Sequence, residues 1–135
     1  MWIRTQIEEY GSAKVYLFMH PTPFKIGIPT LDRIKLRDGA ERIQQIVSDF
    51  SNIKHLFFGH VHRPVCGSWY GTPFASLCGT NHQILLDLAS EDYLTYSHEH
   101  PVYSLILLEK QQTTAHYQHY FDNLPSIKYP FNSCC

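Results

Sequence analysis

The sequence predicts a mixed α/β (α+β) fold, and three features carry that expectation. Two short apolar runs, 13–19 and 54–58, each lead into a histidine, as strands do when they deliver polar groups at the carboxyl edge of a buried sheet. Between them Ala40, Ile43, Ile46, Val47 and Phe50 form one stripe at helical spacing. From Pro64 onward strand-like segments alternate with turns and no helical period returns.

The 135 residues suffice for one domain with its own core, and an apolar content of 44% with 14% aromatics argues against disorder. A formal charge of −1 gives no electrostatic case for a nucleic-acid partner or an anionic membrane. Nine histidines are the compositional oddity. No apolar run approaches the roughly 20 residues of a membrane span. Residues 1–10 lack the apolar centre of a signal peptide and carry Glu8 and Glu9 instead, so a cytoplasmic protein is expected. Cys66, Cys78, Cys134 and Cys135 have neither CxxC nor zinc-finger spacing and read as reduced thiols.

Taken in order, residues 2–10 read as a helix, with Ile3, Ile7 and Tyr10 on one side and Gly11-Ser12 as the stop. Residues 13–19 form a buried strand that ends at His20, and Pro21 and Pro23 fix the exit path because neither continues a ladder. Residues 24–37 form a long connection of the kind that binds ligands. Asp38 is placed to cap helix 39–50, with Glu41 at capping-box distance. A second strand at 54–58 completes a βαβ unit whose two strands both end in histidine at one edge. Further strands are expected at 64–70, 73–78, 82–88, 102–109 and 112–121, forming a second sheet, before an irregular tail from Asp122 to Cys135.

Chemistry concentrates just past the two strand ends. His60 and His62 are two residues apart, so in extended chain both imidazoles project to one side. Two neutral imidazoles so placed make part of a metal site, or simply a loop carrying two histidines. Gly59 lets the backbone turn tightly before them. His20 stands where His60 stands. His55 is expected at the surface, and His98, His100, His116 and His119 in solvent. Asp32 and Arg33 are expected to pair with each other or to shape a rim, and the aromatics at 117–131 to cover an edge.

The segments Met19-His20-Pro21-Thr22-Pro23, Gly27 through Leu36, Gly59-His60-Val61-His62-Arg63-Pro64 and Gly79-Thr80-Asn81-His82-Gln83 resemble, in order and spacing, the calcineurin-like metallophosphoesterases. Within them the chain is similar to the bacterial phosphodiesterases that act on cyclic nucleotides or glycerophosphodiesters. The resemblance implies the carboxyl half of a four-layer β-sandwich flanked by helices, covering residues 1–121, with 122–135 as a tail. It implies His20, His60 and His62 as metal ligands and His82 as a substrate contact. It also implies two divalent ions (Mn, Fe, Zn or Co) that activate a hydroxide for attack on a small phosphodiester, and the sheet edge bared without the amino half leads to the expectation of a homo-oligomer.

The same resemblance marks what is absent. The family's Asp-x-His, Gly-Asp and Gly-Asn-His motifs do not occur, and Pro21 replaces the second histidine of a His-His pair. Without a bridging carboxylate nothing fixes two ions the roughly 3.5–4 Å apart that this chemistry needs. Two functions follow as expectations. One is a portion of a metal-dependent phosphodiesterase, inactive as these 135 residues alone. The other is a non-catalytic oligomerising domain with a decayed metal site.

Overall fold

A computed structural model describes residues 2–120. The first helix, α1 (Trp2–Glu9), buries Ile7, and β1 (Val15–Met19) follows. The connection after it contains a short helix, α2 (Pro29–Asp32), where a loop alone is expected from sequence. Proline at its first position supplies a preset φ, and Leu31 anchors it in the core. Helix α3 (Ala40–Asp49) turns Ile43, Ile46 and Val47 inward, as the stripe predicts. Its cap differs from expectation: Gly39, at φ 88°, is the N-cap residue, and no side chain caps the helix. A left-handed φ at this point is free of steric cost only for glycine.

Strand β2 (Ile53–Phe58) pairs in parallel with β1, register Leu17↔Leu56 through Met19↔Phe58, so the βαβ unit forms as expected. The strands that follow correct the expectation of a separate second sheet. After β3 (Cys66–Trp69), strand β4 (Thr72–Ser76) joins β2 in parallel and β3 pairs antiparallel with β4. The sheet order is β1-β2-β4-β3. The expected strand at 82–88 shrinks to β5 (Gln83–Ile84), which pairs with β6 (Tyr96–Ser97), a strand with no period-2 signal. Strands β7 (Val102–Leu108) and β8 (Thr113–His119) form a separate hairpin.

The core lies on one face of the sheet. Leu56 and Phe58 of β2 pack with Ile7, Leu31, Ile43, Ile46, Val47 and Phe24 in one apolar cluster. The intervening residues His55 and Phe57 point to the opposite face, where Phe57 stacks on His55 (4.2 Å between centroids) and Phe18 (5.0 Å). The β7–β8 hairpin lies toward that side: Thr113 Oγ1 donates to Tyr16 Oη (3.3 Å), and Tyr117 Oη donates to the Ser76 carbonyl (3.0 Å). His55 is therefore not the surface residue expected from sequence. It sits inside β2, half-buried, and burial pushes its pKa down.

Other expectations resolve locally. Asp32 and Arg33 do not pair with each other. The Asp32 carboxylate accepts from the Ile26 and Gly27 backbone N–H groups (2.7 and 3.2 Å), while Arg33 meets the Glu91 carboxylate at 3.0 Å. His98, His100, His116 and His119 are exposed. Cys66 and Cys78 are free thiols, whereas Cys134, Cys135 and the tail fall outside the described residues. Among the described residues no helix is long and apolar enough to cross a membrane.

Leu56 is wholly buried in the central strand. Leu56→Ala is expected to destabilise the fold by about 2–5 kcal/mol through lost transfer energy and the cavity left behind. A urea-unfolding midpoint unchanged from the parent would contradict this placement of the core.

A candidate histidine site at the carboxyl edge of the sheet

Parallel pairing of β1 with β2 puts the residues after both strands side by side. The Gly59 N–H donates to the Met19 carbonyl (3.3 Å), which extends the register one step past the strands. His20 and His60 come together as expected, edge to face, with ring centroids 5.2 Å apart. Gly59 favours that approach, because a Cβ there would lie 3.1 Å from His20 Nδ1 and press the ring back by a few tenths of an ångström.

The chain then reverses sharply through residues in the left-handed region, His60 at φ 70° and His62 at φ 48°. Histidine is among the non-glycine residues that tolerate this region, at a cost on the order of 1 kcal/mol. The extended His60-Val61-His62 geometry expected from sequence is thus replaced by a turn. Val61, between the two histidines, is buried as their anchor. His62 stacks on His82 with ring centroids 4.3 Å apart, and its Nδ1 lies 3.1 Å from the His82 carbonyl oxygen. Gly79 makes this stack possible, since a Cβ there would collide with that carbonyl and lie 2.6 Å from His62 Nδ1. Read from sequence as a plain turn, Gly79 carries no signal of this role. Gln83 pins the same loop, exchanging hydrogen bonds with the Gly79 N–H (3.0 Å) and carbonyl (2.6 Å).

The four histidines therefore form two pairs, His20 with His60 and His62 with His82. His60 Nε2 is enclosed and has no hydrogen-bond partner among the described residues. Desolvation pushes the His60 pKa down, with further lowering from the neighbouring charge of His20 and, less, of His62; a backbone hydrogen bond to Ile34 acts the other way.

This donor set does not fit the two-ion centre that the sequence leads one to expect. Among the described residues no group of three or more His, Cys, Asp or Glu side chains could hold a metal ion. The expected pair of Mn, Fe, Zn or Co ions is therefore overturned, and with it the reading as a portion of a metal-dependent phosphodiesterase, a hydrolase and metal-binding protein. The reason is geometric and chemical together. The turn at 60–62 directs His62 into a stack with His82, and among the described residues no carboxylate completes a group with these rings to bring the charge that binds and bridges divalent ions.

The depressed His60 pKa has a measurable sign. Between the unfolded value near 6.5 and the lower folded value the unfolded chain binds more protons, so stability is fully present above pH ~6.5 and declines as pH falls toward the folded value. The His60 ring proton should titrate with a midpoint below 6.5 by NMR, and His20→Gln should move that midpoint part of the way back. A midpoint at or above 6.5 in the parent chain would contradict the enclosure of this ring.

No family model matches the chain. Three curated proteins do resemble it. A probable cyclic nucleotide phosphodiesterase of Rhodopseudomonas palustris is 34% identical over 100 residues, 74% of this chain and 36% of the relative. A probable glycerophosphodiester phosphodiesterase of Arcobacter nitrofigilis is 31% identical over 117 residues, 86% and 43% of the two chains. A glycerophosphodiester phosphodiesterase of Enterobacter lignolyticus is 26% identical over 118 residues, 87% and 41%. The matched region spans roughly two fifths of each relative's length. The homology to phosphodiesterases agrees with enzyme ancestry. Over most of its own length, then, the chain is a distant homologue of phosphodiesterases of the calcineurin-like metallophosphoesterase family, at 26–34% identity.

Proposed function

We propose that this chain is a non-catalytic, self-associating domain descended from metal-dependent phosphodiesterases of the cyclic-nucleotide and glycerophosphodiester subgroup, with a decayed metal site. One observation carries the reading: the histidines sort into two imidazole pairs with no carboxylate among them. His20, His60 and His62 then occupy former ligand positions, and His82 a former phosphate-contact position. The domain is residues 1–121, its sheets belonging to the carboxyl half of a four-layer sandwich, with 122–135 as a tail.

The open side of β1 supports association. Among the described residues β1 is an edge of the four-stranded sheet and pairs only with β2. Parallel strands are ordinarily covered on both faces, yet Phe18 of β1 is 64% exposed while its register partner Phe57 is 1% exposed. Beside Phe18 runs an apolar groove of about 480 Å³ that includes Trp2, Ile3, Tyr10 and Leu17. An unpaired edge next to an apolar groove is a surface that recruits another strand. The occupant is a second copy, because two β1 edges meeting at a two-fold axis pair antiparallel and each covers the other's Phe18.

Two measurements test this. With bis-p-nitrophenyl phosphate and added manganese, turnover should equal that of buffer plus manganese. Light scattering at micromolar concentration should give a dimer or larger species, and Phe18→Asp should convert it to monomer. Turnover that His60→Ala removes would overturn the non-catalytic reading; a monodisperse monomeric parent would overturn the association.

A further inference from the structure

At the opposite end of the same strands lies a second concave site. β1, β2 and β4 run parallel, so their amino ends share one edge, a strand length of roughly 16–20 Å from the histidines. There Lys14 precedes β1, Lys54 is the second residue of β2, and Lys110 comes from the β7–β8 turn. With Tyr16, Gln112 and Thr113 they line a cleft of about 510 Å³. Three of the chain's six lysines thus converge on one cavity in a protein of net charge −1.

No carboxylate lines the cleft, and none pairs with any of these lysines among the described residues. The ammonium groups of Lys14 and Lys54 are held by neutral carbonyls instead. Lys14 Nζ donates to the carbonyl oxygens of Glu109 (2.9 Å) and Lys110, and Lys54 Nζ donates to that of Ser51 (2.8 Å). Carbonyl contacts position a lysine without neutralising it. Like charges gathered without a counter-charge repel one another, and an anion in the cleft relieves that repulsion while accepting the remaining N–H donors. The neutral lining groups, the Tyr16 and Thr113 hydroxyls and the Gln112 amide, suit the polar body of a small molecule, and the volume is that of a ligand pocket.

We infer that this cleft binds a small phosphorylated molecule, its phosphate held by Lys14, Lys54 and Lys110. The site is independent of the histidine edge and of the reading proposed for it.

Calorimetric titration of the full chain with adenosine 5′-monophosphate, inorganic pyrophosphate and, as the uncharged control, adenosine tests the assignment. Saturable binding is expected for both phosphates, weakening as salt rises, and none for adenosine. Lys54→Gln/Lys110→Gln should weaken binding by at least about tenfold, a loss of ~1.4 kcal/mol. His60→Ala should leave it unchanged. Lys110→Glu alone, on an exposed turn, gives a second reading in a chain whose circular dichroism matches the parent. Absence of saturable binding, full affinity in the double variant, or loss of binding in His60→Ala would each overturn the inference.

Discussion

The parallel register of β1 on β2 is the constraint on which the rest depends. Five paired positions, Val15↔Ile53 through Met19↔Phe58, decide which residues leave the sheet together at each end. At the carboxyl end they bring His20 beside His60, forty positions apart in the chain. At the amino end they bring Lys14 and Lys54 to one cleft. A slip of one residue would reverse the faces of β1 and place Leu17 where Phe18 now stands. The apolar cluster under Leu56 and Phe58 holds that register, because α3 and α2 fill the helix-side face and leave no room for the alternative.

The histidine edge shows why proximity of donors is not a metal site. A divalent ion needs several donors converging on one point, and charge among them to offset its own dehydration. The edge provides imidazoles alone, and they converge on two points. Burial pushes the His60 pKa down, and His62 is committed to His82 through a stack and a carbonyl contact. The left-handed turn at His60 and His62 is the local cause. It separates two side chains that an extended His-x-His would have aimed together.

Much of this was readable from residues. The strand–helix–strand unit followed from apolar runs that end in histidine around the Ile43-Ile46-Val47 stripe, and its parallel sense followed from the connecting helix. The approach of His20 to His60 followed from both standing just past those strands. What sequence could not supply was set by long-range packing. β4 and β3 join the first sheet because Phe74 and Ala75 find partners on β2, and nothing local distinguishes that edge from a second sheet. Asp38 has the chemistry of a cap, yet Gly39 takes the position because the chain enters the helix with a positive φ. His55 falls inside the strand read at 54–58 as well as inside β2, and what takes it from the surface is the stack on Phe57, a contact of the opposite sheet face that no local signal marks.

The two ends of the sheet also differ in how their charges are held. At the histidine end the rings are pressed against one another, and burial favours the neutral form of His60. At the lysine end Lys14 and Lys54 are anchored by main-chain oxygens. Lys14 has a double part in this, since its contacts with Glu109 and Lys110 also tie the β7–β8 turn to the start of β1. The hairpin is attached at that point, at Thr113–Tyr16 and at Tyr117–Ser76, so its seat on the sheet and the shape of the cleft share one set of contacts. Whatever neutralises the lysines acts on the same contacts that hold the hairpin, and filling the cleft stabilises the fold by mass action.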